Sequence, residues 1–155
     1  MSASTATATR RQFLAAAGGV GLALAVRPAK ATPASMKQAI RQIVGDAAAK
    51  PGKVKLDLPP LVENGNSVAM SVTVASPMTA KDHVKAIHVV TEKNPQPNVI
   101  SAQLGPRAGK AEIQTRVRLA DTQTVIAICE MSDGTFWSDT VDVIITLGAC
   151  LEDLP

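Results

Sequence analysis

The chain has 155 residues, 46% of them apolar and only 2% aromatic, so one domain with a core of Val, Ile, Leu, Ala and Met is expected. Its formal charge of +3 is carried by a leader: residues 1–31 hold Arg10, Arg11, Arg27 and Lys30 and no acid, leaving 12 basic against 13 acidic residues in the remainder. The pI near 9.1 therefore gives no support for a nucleic-acid partner.

The leader opens with Arg10-Arg11-Gln12-Phe13-Leu14, a twin-arginine pattern, followed by an apolar, small-residue run from Phe13 to Val26. That run is shorter than the roughly 20 residues a membrane-spanning helix needs. Ala29-Lys30-Ala31 resembles an A-x-A cleavage site. These features predict export by the twin-arginine pathway, cleavage after Ala31, a periplasmic mature protein and no membrane anchor. Twin-arginine export moves folded cargo, which suits a protein carried out with a partner.

Four segments are expected: a signal peptide at 1–31, a helix and linker at 32–52, a β-sandwich at 53–147 and a C-terminal arm at 148–155. In residues 34–49, Met36, Ile40, Ile43 and Val44 recur at helical spacing. Ser35 is the candidate N-cap, and Pro51-Gly52 the expected stop. The period then changes to two. Strands are predicted at Val54–Leu58, Val68–Val74, near His83–Thr91, at Val99–Leu104, Ala111–Leu119, Thr124–Met131 and Thr135–Leu147. Asn64-Gly65-Asn66 supplies the turn before the second. About seven short strands with turns between them make an all-β fold, an antiparallel sandwich with a short N-terminal helix.

Asp133-Gly134 is a two-residue hairpin signal. Centring the loop there puts Cys129 opposite Ser138. One face then carries Ile126, Ile128, Val141, Val143, Ile145 and Leu147 and reads as core. The other carries Val125, Ala127, Cys129, Met131 and Phe136, too apolar for water, and is expected to lie under the helix or against another protein.

Two cysteines in an exported chain invite a disulfide. With Cys129 opposite Ser138, Cys150 lies about 40 Å further along an extended strand, whereas a bridge needs Cα atoms within about 7 Å. Only a tail that doubles back closes that gap. Cys129 reads as a small packing residue. Cys150 follows Gly148-Ala149 and precedes Leu151, on an arm where a structural cysteine is out of place. His83 and His88 are five apart on a strand, on opposite faces, with no clustered acid or thiol; no metal is expected. Gly105-Pro106-Arg107-Ala108-Gly109 reads as a loop. With no triad, paired acids or phosphate loop, no enzyme and no cofactor are expected.

Several tracts together resemble the SoxY family: Ala75-Ser76-Pro77-Met78-Thr79, Asn94-Pro95-Gln96-Pro97, Thr115-Arg116-Val117-Arg118-Leu119-Ala120, Thr122-Gln123-Thr124-Val125 and Glu130-Met131-Ser132-Asp133-Gly134-Thr135-Phe136-Trp137. That resemblance implies an immunoglobulin-like sandwich and a periplasmic carrier of thiosulfate-derived sulfur. It also implies a heterodimer with SoxZ and transient service by SoxXA, SoxB and SoxCD. By position the family's carrier cysteine matches Cys150, with Gly148, Ala149 and Leu151 as its arm. The family usually ends Gly-Gly-Cys-Gly-Gly; this chain has Leu151, Glu152, Asp153, Leu154 and Pro155 after the thiol. Bulk stiffens the arm, and the two carboxylates repel an anionic adduct. An alternative reading is a related, non-catalytic binding or assembly sandwich that has lost covalent carriage.

Overall fold

The computed structural model describes residues 33–148. One helix, α1 (Pro33–Val44), precedes nine strands: β1 (Lys50–Pro51), β2 (Val54–Asp57), β3 (Leu61–Asn64), β4 (Val68–Val74), β5 (Val84–Thr91), β6 (Asn98–Gln103), β7 (Glu112–Val117), β8 (Gln123–Met131) and β9 (Phe136–Leu147). They form a six-stranded sheet and a three-stranded sheet packed face to face. The larger runs β9-β8-β5-β6 in antiparallel pairs, with β1 and β3 both added along the outer edge of β9; the smaller runs β2-β4-β7. The fold is the expected immunoglobulin-like sandwich.

Alternation accounts for the core. Along β4, Val68, Met70, Val72 and Val74 are buried while Ala69 and Thr73 are exposed. These residues meet Val84, Ile87 and Val89 of β5, Val125, Ala127, Cys129 and Met131 of β8, and Val143 and Ile145 of β9. β8 is buried over most of its length because a strand lies on each side of it and both its faces are covered. Its second face, with Ile128 and Ile126, packs with Val90 and Phe136 under Met36, Ala39, Ile40, Ile43 and Val44 of α1.

Four sequence expectations need correction. First, α1 begins at Pro33, two residues before the candidate cap Ser35, and stops at Val44 rather than at Pro51-Gly52. Gly45 takes φ +63°, a left-handed conformation that closes a helix cheaply, and its amide donates to the Arg41 carbonyl at 2.8 Å.

Second, the β8–β9 hairpin is one residue out from the two-residue loop. Met131 and Thr135 close it, the Met131 amide donating to the Thr135 carbonyl at 2.9 Å, so Ser132, Asp133 and Gly134 form a three-residue loop. Gly134 has φ +80°, as the last position of such a loop requires. The Asp133 carboxylate accepts from the Thr135 amide and hydroxyl at 2.9 and 2.7 Å.

Third, that single slip exchanges faces. Cys129 pairs with Trp137, not Ser138, and Val125 with Val141. Val125, Ala127, Cys129 and Met131 therefore share the central core with Val141, Val143 and Ile145. Ile126, Ile128 and Phe136 are the face under α1, and Leu147 is exposed rather than core.

Fourth, β1 and β3 were not expected, and both pair parallel to β9. Each is too short to show a period.

Candidate functional site

The expected attachment residue Cys150, with Ala149 and Leu151, lies outside the described residues; Gly148 is the last residue described. What the structure defines is the base from which that segment leaves. β9 is longer than β8, and their ladder ends at Gln123–Val143. Past that point other partners take over its backbone. On one side Thr122 substitutes for a strand: its hydroxyl accepts from the Ile145 amide at 2.9 Å and lies 3.3 Å from the Ile145 carbonyl, to which it donates. On the other side β3 pairs Leu61 with Ile144, Val62 with Ile145 and Asn64 with Leu147. The Thr146 hydroxyl donates to the Glu63 carbonyl at 3.0 Å. The Gly65 amide, at the turn expected around Asn64-Gly65-Asn66, donates to the Leu147 carbonyl at 2.8 Å. The backbone is thus held as far as Leu147, leaving Gly148 and Ala149 between the last anchor and Cys150.

A buried polar hub supports this end of the sandwich. Asn94 is 7% exposed and Gln123 4%. The Asn94 carboxamide oxygen accepts from the Ala120 amide and from Gln123 Nε2, each at 3.0 Å, and its Nδ2 donates to the Arg118 carbonyl at 2.8 Å. Gln123 Oε1 accepts from the Lys93 amide at 2.8 Å. These bonds fasten the proline-rich β5–β6 loop to the β7–β8 connection. The Leu119 amide then donates to the Gly65 carbonyl at 2.9 Å, joining the hub to the turn that holds Leu147. Buried amide groups whose nitrogen and oxygen atoms are each partnered rigidify a site. Thr122, Gly65, Asn94 and Gln123 were not singled out as site residues in the sequence. Their signal was present: Asn94 and the Thr122-Gln123 pair sit in the tracts that carried the family resemblance.

Cys129 is fully buried, with Sγ 4.0 Å from Met131 Sδ. Burial pushes its thiol up to about 11, outweighing a backbone hydrogen bond near Trp137 and the charge of Lys53. A thiol so placed stays protonated and closed to reagents.

The two histidines are apart and singly satisfied. His83 Nδ1 is 3.1 Å from the Thr79 carbonyl oxygen, and His88 Nδ1 is 2.9 Å from Ser101 Oγ. Burial lowers the His88 pKa, with Glu130 opposing; Glu130 itself pairs with Lys85. Among the described residues no cluster of three or more His, Cys, Asp or Glu is placed to hold a metal ion. The Gly105–Gly109 stretch contains a single 3-10 turn, Pro106–Ala108.

The solved structures similar to this one include that of the sulfur carrier protein SoxY from Chlorobium limicola f thiosulfatophilum. It is 23% identical with a TM-score of 0.62, covering 74% of this chain and 98% of that one. Superoxide reductases share the sandwich at lower identity: that of Ignicoccus hospitalis at 14%, TM-score 0.55, covering 61% and 80%, and that of Nanoarchaeum equitans at 12%, TM-score 0.52, covering 62% and 100%. At these identities the likeness is one of fold. No curated protein sequence matches the chain. The family model described as sulfur oxidation protein SoxY matches residues 40–150, from the middle of α1 through Cys150, and the chain belongs to that family.

Proposed function

We propose that this protein carries sulfur intermediates as covalent adducts of Cys150 and presents them to separate enzymes. The observation that carries the reading is the family match, which runs to residue 150 and so takes in the cysteine. The anchored base supports it. A strand held on both sides to Ile145 and on its β3 side to Leu147 gives the thiol a defined origin, and residues 148–150 let it project about 10 Å at 3.3–3.6 Å per residue. Cys129 offers no competing thiol, being sealed in the core.

The chemistry is that of the family. Oxidative coupling of the Cys150 thiol to thiosulfate forms an S–S bond; two electrons leave to a haem enzyme of SoxXA type and the thiol proton to solvent. Hydrolysis by a SoxB-type enzyme then adds water across the terminal S–S bond and releases sulfate. SoxCD-type oxidation of the remaining sulfane follows. The carrier supplies no catalytic group to any of these steps. We further propose export by the twin-arginine pathway to the periplasm and a heterodimer with a SoxZ-like sandwich. The face first expected to meet that partner is core in this chain. Apolar surface remains at the β3 edge, where Leu61 and Ile144, 61% and 56% exposed, lie side by side in register.

Intact-mass analysis of the exported protein tests the proposal. Adducts that disappear on treatment with a thiol reductant and are absent from Cys150→Ser are expected. Adducts that persist in Cys150→Ser, or none in wild type from thiosulfate-grown cells, would contradict it.

A further inference from the structure

At the exit end of the sandwich the smaller sheet stops at β7 and the larger at β6, and an open groove of about 490 Å3 runs between these edges. Val99 and Ile100, both half-buried, line one side; Thr115, Val117 and the exposed Arg116 and Arg118 line the other. Arg116 is held outward by Ser67, its Nε donating to the hydroxyl at 2.6 Å and its Nη2 to the carbonyl at 3.0 Å. The ion pairs among the described residues are Lys85–Glu130 and Lys93–Asp121, so neither arginine is matched there by a carboxylate. The groove is therefore a mixed surface, part aliphatic and part cationic.

The chain's own sequence carries a complementary segment. Leu151-Glu152-Asp153-Leu154-Pro155 sets two carboxylates between two leucines. It starts close by: Leu147 is one hydrogen bond from Gly65, which is one hydrogen bond from Leu119, the neighbour of Arg118. Residues 148–155 reach at most about 26–29 Å, ample to enter the groove and run along it.

We infer that residues 151–155 dock in this groove, with Glu152 and Asp153 against Arg116 and Arg118 and the leucines against Val99 and Ile100. Cys150 then sits in a short loop tied at both ends, at Leu147 and at Leu151, instead of on a free end. Docking also neutralises the two carboxylates that would otherwise repel an anionic adduct on the neighbouring thiol. This second consequence rests on the carrier reading; the docking itself does not.

The test is the rate at which Cys150 of the reduced full chain reacts with iodoacetamide, an uncharged probe. Exposed ion pairs are individually weak and screened by salt. Two of them predict a rise of about threefold to tenfold for Glu152→Gln with Asp153→Gln, and a similar rise for wild type in 0.5 M salt. Arg118→Gln alone, which leaves the Arg116–Ser67 contact intact, should give a smaller rise with no loss of thermal stability. Joining Arg116→Glu and Arg118→Glu to Glu152→Arg and Asp153→Arg should restore the slow rate. Equal rates throughout, no recovery in the charge-swapped protein, or slowing that depends on protein concentration, which would mean docking onto a second copy, overturns the inference. The presence or absence of a sulfur adduct is read separately by mass and bears only on the carrier role.

Discussion

The two ends of the sandwich are closed by different means. At the hairpin end the closure is mostly turn chemistry. Asp133 caps its own loop through Thr135, and the Met78 amide donates to the nearby Ser76 hydroxyl at 3.2 Å. The longer-range links between the two loops converge on one residue: the Ser132 hydroxyl accepts from the His83 amide and donates to the Lys81 carbonyl, each at 3.1 Å, and the Ser132 amide donates to the His83 carbonyl at 2.8 Å. The exit end is built instead from residues far apart in sequence. Thr122 holds Ile145, 23 residues away, Thr146 holds Glu63, 83 away, and Asn94 holds Ala120, 26 away. A turn needs only to reverse the chain. An end from which a strand departs must hold that strand after its ladder has run out, and it does so with the β3 backbone and the Gly65 amide on one side and the Thr122 side chain on the other. If the exit end exists to fix the origin of the arm, damage there should show in the behaviour of Cys150, and equal damage at the hairpin end should not.

The largest effect is expected at Asn94. Asn94→Ala removes three hydrogen bonds, leaves the Ala120 amide and Gln123 Nε2 buried without partners and frees the part-buried Arg118 carbonyl. A loss of about 2–4 kcal/mol is expected by denaturant titration. Ser132→Ala at the other end should cost about 1 kcal/mol, because the backbone bond from the Ser132 amide to the His83 carbonyl survives it.

Thr122→Val comes next. It keeps the shape and deletes both contacts with Ile145, for about 1–2 kcal/mol. Faster amide exchange confined to residues 143–147 and restored by Thr122→Ser is the expected result. Uniform loosening of the whole sandwich would show that the hydroxyl has no special relation to the exit.

The smallest effect separates the ends electrostatically. Asp133 is held below the usual carboxyl value, first by the Thr135 hydroxyl and then by its amide. Asp121 is lowered as well, first by the Lys93 ammonium and then by the Thr122 amide. A depressed folded-state pKa stabilises above the unfolded value, near 3.8, and that contribution is lost as pH falls through the folded one. Each carboxylate's contribution is therefore present at neutral pH and lost only in acid. Carboxyl titration by NMR should move Asp121 back toward its usual value in 0.5 M salt and leave Asp133 in place, because only Asp121 depends chiefly on a cation.

The same contrast explains what could be read from the sequence. Alternation in Val68–Val74 and Ala111–Leu119 reported real strands, the second observed as Glu112–Val117, and the helical spacing of Met36, Ile40, Ile43 and Val44 a real helix. Local periods miss what lacks a period. β1 and β3 are two and four residues long and form because β9 offers a free edge. The hairpin register failed by one residue because Asp133-Gly134 fits both a two-residue loop and the last two positions of a three-residue one. Only the φ of Gly134 with the Met131–Thr135 closure separates them. The sequence showed a turn at Asn64-Gly65-Asn66 and motif tracts containing Asn94 and Thr122-Gln123, but not that these hold the end of β9. Their meeting at Leu147 depends on the tertiary fold.

The central claim is that one thiol is presented and the other sealed. Alkylation of the native reduced protein followed by peptide mapping tests it most directly. The account predicts labelling of Cys150 within minutes and of Cys129 only after denaturation. Protection of both thiols, or a disulfide between residues 129 and 150, would contradict it.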